Sequence, residues 1–281
     1  VRVLITGAGG QVGTELIDVF SLGGHEVEGF SHASLDITSR DAVRAAVVDF
    51  HPDAIVHSAA WTAVDACESD PERAFAVNAM GTRYLVEAAR LVDAPVHYIS
   101  TDYVFDGLKD SPYVEWDQPN PQSVYGLSKL AGESELDDGS TVIRTSWVCG
   151  FHGPNMVKTI LRLAAEYETL SFVDDQFGHP TFADDLAAMI AKLVTERRSG
   201  LFHVTNAGAV SWFEFAQEVL LAAGQDPARV YPIATADLLP ARPAPRPANS
   251  VLDNAALRLS GLPSAVDFRV PLRRLVDRLA T

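Results

Sequence analysis

The opening segment VRVLITGAGGQVGTEL (1–16) runs an apolar stretch into a turn carrying Gly7, Gly10 and Gly13, and from there into a helical pattern. Strand, glycine turn and helix in that order demand a parallel βαβ unit, because the chain must cross back before it can pair again. Each glycine has a physical use: one permits the tight turn, one lets backbone N–H groups approach a pyrophosphate, and one allows close helix–strand packing. A glycine triplet alone is equally compatible with a plain turn. Its place directly after the first strand is the context that favours a dinucleotide.

The same rhythm continues through the first half. AIVHSAA (54–60), VHYISTD (96–102) and STVIRTSWV (140–148) read as buried strands, and HEVEGFS (25–31) as a weaker one. GTELIDVFSLGG stops at a glycine pair, as a helix C-terminus does, and DPERAFAVNAMGTRYLVEAARLV has helical spacing after an Asp-Pro start. Right-handed crossovers then give an α/β fold, a Rossmann-type doubly wound parallel sheet. Residues 1–150 are expected to form the dinucleotide-binding domain, with 173–198 packed back on it. Residues 151–281, which include GLFHVTN (200–206), are expected to form mainly a smaller mixed α/β substrate lobe.

With 281 residues, 47% apolar and 21% charged, the chain can bury a large core. No apolar run reaches the ~18 residues of a membrane span and no basic-then-apolar leader opens it, so a cytoplasmic location and no membrane partner are expected. Cys67 and Cys149 have neither metal-ligand spacing nor the density of a disulfide framework. The net charge of −15, from 37 acidic and 22 basic residues, argues against nucleic acid, which needs a clustered basic surface. An anionic small molecule needs only local donors.

The choice of dinucleotide turns on the end of the second strand. An NAD-preferring site places Asp or Glu there to bind the ribose 2′-hydroxyl, whereas this strand ends GFSHASLD, with Ser31 and His32 in that place. No carboxylate repels a 2′-phosphate, and His32 or Arg40 is placed to approach one; His32 reads equally as an ordinary loop residue. NADP(H) is favoured, with NAD(H) also accommodated. LDI (35–37) and SAAWT (58–62), containing Asp36, Ile37, Ala59, Ala60, Trp61 and Thr62, follow strand ends on the cofactor side.

SVYGLSKLAGE (123–133) sets Tyr125 four residues before Lys129. On a helix the two share a face, with Cβ atoms ~5–6 Å apart. An ammonium beside a phenol favours the phenolate and so eases proton donation near working pH. YISTDYVFDG adds Ser100 and Thr101 at a strand's C-terminal end, where open α/β sheets place ligands. Alone, Tyr-x-x-x-Lys is a common surface pair; after the glycine turn and the STD strand end it is far more specific.

Taken in order, TGAGGQVG, AAWTAVDACE, STDYVFDG, VYGLSKLAGE, RTSWV, VDDQFGHPT and RPANSVLD resemble the successive motifs of the dTDP-4-dehydrorhamnose reductase family, within the extended short-chain dehydrogenase/reductase superfamily. That resemblance implies reduction of the C4 ketone of a dTDP-4-keto-6-deoxy-L-hexose by NAD(P)H, with Thr101, Tyr125 and Lys129 catalytic. It places cofactor contacts at Gly10, Gln11, Val12, Asp36, Ile37, Ala60, Trp61 and Thr62, beside Gly7 and Gly13 of the turn. Sugar contacts would fall on Asp102 and Trp147, the latter also readable, less favourably, as a core aromatic. Arg246, Asn249 and Ser250 sit in the Pro-rich LPARPAPRPANS (239–250), read as a loop closing over the nucleotide sugar rather than a stiff linker.

Two positions and one missing glutamate depart from the family pattern. Trp61 stands where Tyr or His is common, and Cys149 where Tyr is usual, which would open volume near Trp147. Glu15 matches one ligand of a magnesium-bridged dimer, but no glutamate follows Glu218, so no metal is expected and the chain is a monomer or a homodimer. Two competing readings are a non-catalytic subunit, like the accessory subunit of methionine adenosyltransferase, and a nucleotide-sugar 4-epimerase.

Overall fold

A computed structural model describes residues 1–263 and 265–280. Five strands follow the expected segments: β1 (Arg2–Thr6), β2 (Glu26–Phe30), β3 (Ala54–His57), β4 (Val96–Thr101) and β5 (Thr141–Thr145). They pair in parallel in the order β5-β4-β3-β1-β2, and strand Gly200–His203 completes the six-stranded sheet beside β5. The chain steps from β1 to β2 on one side and then to β3 on the other, with Thr6 level with both Phe30 and His57. That reversal is the topological switch point, and it opens a crevice beyond the C-terminal ends of β1 and β3.

The helices in chain order are α1 (Gln11–Leu22), α2 (Arg40–Phe50), α3 (Val64–Ser69), α4 (Pro71–Phe75), α5 (Gly81–Arg90), α6 (Val124–Glu133), α7 (Met156–Glu166), α8 (Ala183–Thr195), α9 (Trp212–Ala222), α10 (Ala255–Leu259) and α11 (Arg269–Ala280). Asp70 starts α4 by accepting from the Arg73 N–H, with Pro71 at the first helical position, where a missing N–H costs nothing. The run read as one helix over 70–92 carries a π-helical turn at Ala76–Met80 between α4 and α5. Helical periodicity alone does not reveal such a turn.

Both faces of the sheet are covered. On one, Val3 and Ile5 pack with Leu16 and Phe20 of α1 and with Leu186, Ile190 and Leu193 of α8. On the other, Leu4, Ile55 and Val96 meet Val43 and Val47 of α2 and Leu85, Val86 and Ala89 of α5. Each such side chain contributes ~1.5–3 kcal/mol on burial, which explains why the strands are apolar without alternation. A separate core joins Val157 and Ile160 of α7, Phe215 and Val219 of α9, and Phe268 and Leu272. No described helix is long and apolar enough to cross a membrane.

One boundary differs from the sequence reading. GLFHVTN, assigned to the C-terminal lobe, supplies the sixth sheet strand, with Phe202 level with Ile143. A four-residue apolar run fits either sheet edge; here α8 packs 183–195 onto α1 and delivers the next residues beside β5.

Candidate active site

The glycine turn forms a cradle with no room for side chains. A Cβ on Gly13 would lie 2.1 Å from the Gly7 carbonyl oxygen, and one on Gly7, whose φ is +72°, would lie 2.6 Å from the Ala59 nitrogen. Only bare backbone fits, and the turn is left to face a ligand with its N–H groups at the start of α1. The residues present therefore suit a dinucleotide pyrophosphate.

Two cavities meet at Gly7 and Gly10. The first, about 590 Å³, is bounded by Ser31, His32, Leu35, Asp36, Ile37, Ala59, Ala60, Trp61 and Arg73. Its Asp36 carboxylate is held below its usual pKa by the Thr38 hydroxyl and N–H, at 2.7 and 2.9 Å. The second, about 450 Å³, takes in Gln11, Val12, Gly13, Thr62, Ser100, Thr101, Asp102, Tyr103, Tyr125, Lys129, Trp147 and Trp212. A dinucleotide laid across the cradle would have its adenosine in the first and its nicotinamide in the second. Arg40, a candidate for the adenosine end, lines neither cavity and instead donates to Glu87 at 2.7 Å.

Helix α6 delivers Tyr125 and Lys129 because two glycines let it sit low on the sheet. A Cβ on Gly126 would lie 2.2 Å from the Tyr103 carbonyl oxygen, and one on Gly132 would lie 2.4 Å from the Asn78 carbonyl oxygen and the Tyr98 hydroxyl. Ser123 caps the helix by accepting from the Gly126 N–H at 3.1 Å. Lys129 is buried, donates to the Ile99 carbonyl at 2.7 Å and lies 4.0 Å above the Tyr98 ring. Burial pushes its pKa down to about 7, against the pull of Glu133. Burial also raises the pKa of the Tyr125 phenol, an effect eased by a hydrogen bond with Thr101.

Thr101 ends β4. Its hydroxyl donates to Asp102 Oδ1 at 2.9 Å and accepts from the Tyr103 N–H at 3.2 Å. Burial pushes the Asp102 carboxyl up to about 6, with the neighbouring Ser250 and Thr101 hydroxyls opposing. Asp102 Oδ2 is buried without a protein partner, which leaves an acceptor for a ligand hydroxyl. Beneath this corner Glu133 accepts from Ser100 at 2.5 Å and from Arg144 at 2.9 and 2.6 Å, tying β4, β5 and α6 together.

Trp147 adopts φ +45°, a left-handed backbone that costs a bulky residue about 1–3 kcal/mol. Its indole stacks on Trp212 at 3.5 Å and 8°, and a Cβ on Gly178 would sit 2.5 Å from it. Trp147 thus closes the far wall of the second cavity while also touching the C-terminal core. Cys149 does not open that cavity, because it is buried among Val157 and Ile160 in the C-terminal core.

The Pro-rich segment divides. Arg246 grips Asp65 of α3, with Nη2 to Oδ2 at 2.7 Å, and lines a smaller cavity of about 180 Å³ with Arg242, Tyr103, Gln176 and Trp212. Asn249 lines none of these cavities; its amide donates to the Lys109 and Ser111 carbonyls at 2.6 and 3.2 Å. Ser250 is buried, donates to the Phe177 carbonyl at 3.2 Å and lies beside Asp102. Asn249 and Ser250 therefore brace the loop in this conformation instead of facing open space. Glu15 faces His152 at 3.8 Å and Arg278 at 3.9 Å, and no metal-sized cluster of His, Cys, Asp or Glu occurs among the described residues.

Sequence reasoning missed Trp212, Arg73 and Arg242. Each lies at a helix start or in a loop, where periodicity carries no signal; only the packing of the two lobes brings Trp212 onto Trp147.

A parallel sheet with a glycine cradle at its switch point, and a threonine, a tyrosine and a lysine on the adjoining cavity, define a dinucleotide-dependent oxidoreductase architecture of the extended short-chain dehydrogenase/reductase type. The family model described as RmlD substrate binding domain matches residues 1–281, and the chain belongs to that family. It is 42% identical over 280 residues to a dTDP-4-dehydrorhamnose reductase of Streptomyces griseus, covering 96% of this chain and 91% of that protein. A dTDP-4-keto-6-deoxy-D-glucose reductase of Streptomyces niveus is 38% identical, with 93% and 91% covered. The dTDP-4-dehydrorhamnose reductase of Bacillus anthracis str. Ames, solved in complex with NADP, superposes with a TM-score of 0.94 at 38% identity, covering 99% of each chain.

Proposed function

We propose that this protein reduces the C4 ketone of a dTDP-4-keto-6-deoxy-L-hexose with NAD(P)H, as a cytoplasmic monomer or homodimer in deoxysugar synthesis. One observation carries the reading: Thr101, Tyr125 and Lys129 converge on the cavity that continues directly from the glycine cradle. The names of the relatives supply the sugar and the cofactor.

Bound NAD(P)H supplies the hydride. Everything else is the work of side chains. Thr101 and Tyr125 bracket the ketone oxygen, the Thr101 hydroxyl turning from Asp102 Oδ1 to that oxygen, so charge developing there meets two donors. Tyr125 then gives its proton to that oxygen, forming the C4 hydroxyl. Burial keeps the phenol protonated until it is needed, and Lys129 on the same helix face stabilises the phenolate left behind. The unpartnered Asp102 Oδ2 accepts a sugar hydroxyl, and Trp147 backs the ring. The nucleotide half extends past Trp212 toward Arg242 and Arg246, where two guanidinium groups suit a diphosphate.

The test is ketosugar-dependent loss of reduced nicotinamide absorbance, run with wild type and Tyr125→Phe. Turnover by wild type alone supports the reading. No turnover by either, with cofactor binding intact, leaves the chain a binding subunit and refutes it.

A further inference from the structure

The rim of the adenosine-side cavity holds an unassigned cation. Arg73 lines that cavity together with Ser31 and His32, the residues that directly follow β2. Its guanidinium carbon lies 4.5 Å over the centroid of the Trp61 indole, a cation–π contact that positions an otherwise mobile side chain. Among the described residues no carboxylate comes within salt-bridge distance of it, in contrast to Arg40, Arg83 and Arg90, each of which pairs with an acid. Asp36, the carboxylate on the same cavity, is turned into its own Thr38 turn. The cavity therefore presents one oriented, uncompensated guanidinium next to a strand end with no acid to repel an anion.

A planar guanidinium with free N–H groups matches a phosphate monoester. In a nucleotide whose pyrophosphate occupies the glycine cradle, the position nearest the end of β2 is the adenosine ribose. We propose that Arg73, held over Trp61, is the anchor for a phosphate on the adenosine ribose, and so selects the 2′-phosphorylated nicotinamide cofactor over its unphosphorylated form. The proposal rests on the cofactor part of the functional reading and not on the identity of the sugar. It also gives the unusual Trp61 a use: a wider aromatic platform than Tyr or His for the arginine.

The test is calorimetric titration of the ligand-free protein, without sugar, using NADPH, NADH, 2′,5′-ADP and 5′-AMP. Arg73 is exposed and its cap contact runs through its backbone N–H, so Arg73→Gln should fold with an unchanged melting temperature. In Arg73→Gln the affinity for NADPH and 2′,5′-ADP should fall about tenfold or more, the scale of a charge-assisted hydrogen bond, while NADH and 5′-AMP stay within about twofold. Arg73→Lys, which keeps the charge but loses the guanidinium fork, should fall between wild type and Arg73→Gln for the phosphorylated pair. Equal weakening of NADPH and NADH would show that Arg73 holds the pyrophosphate or adenine and overturns the proposal, as does no change in either. Absent ketosugar turnover with this selectivity intact would overturn the sugar assignment and leave the arginine's role standing.

Discussion

Replacing Lys129 with methionine should abolish turnover and yet make the ligand-free protein more stable. The ammonium is buried, with one carbonyl and one aromatic face as neighbours, and its pKa falls from 10.5 to about 7. A drop of about 3.5 units at about 1.4 kcal/mol each is about 5 kcal/mol of cost, of which about 4 remains at neutral pH, where half the folded lysines are neutral. Losing the hydrogen bond to Ile99 returns about 1 kcal/mol, so Lys129→Met should gain roughly 3 kcal/mol. The sign with pH is fixed by linkage. Between about pH 7 and pH 8.5 the unfolded lysine holds a proton that the folded one has lost, so wild-type stability should climb by about 1 kcal/mol per unit in that window. In the variant this contribution is gone. Urea unfolding without cofactor, followed by circular dichroism at several pH values, reads both quantities. Equal pH slopes in the two proteins, together with a less stable variant, would refute the picture of a strained, desolvated lysine.

Glu133→Gln should destabilise by about 3–5 kcal/mol, because it strands the buried Arg144, and adding Arg144→Met should recover part of that in thermal unfolding. Gly178→Ala pushes a methyl into the Trp147 indole; it should cost about 1–3 kcal/mol and alter tryptophan fluorescence through the Trp147–Trp212 stack. Arg246→Ala frees Asp65 and removes one of the two guanidinium groups at the smaller cavity. It should raise KM for the nucleotide sugar about tenfold or more and leave KM for NADPH unchanged in steady-state kinetics.

The sheet was legible because its strands are buried on both faces, so VRVLIT, AIVH and VHYIST stand out as continuous apolar runs between helical segments. The glycine turn was legible for a steric reason that the backbone now makes explicit at Gly7 and Gly13. Tyr125 and Lys129 could be paired from spacing because they share one short helix. What escaped depends on long-range packing. Nothing local to GLFH says that it borders β5, and nothing local to RPANS separates Arg246, which faces a cavity, from Asn249, which braces the loop. The burial that shifts Lys129 and Asp102 likewise belongs to the assembled fold.

The central claim is that Tyr125 delivers a proton to a ketone reduced beside it. Single-turnover consumption of bound NADPH after mixing with a dTDP-4-keto-6-deoxy-L-hexose tests it most directly. The account predicts rapid, ketosugar-dependent consumption by wild type and a rate lower by about 10²–10⁴ in Tyr125→Phe, with NADPH still bound. Equal rates in the two proteins would contradict it.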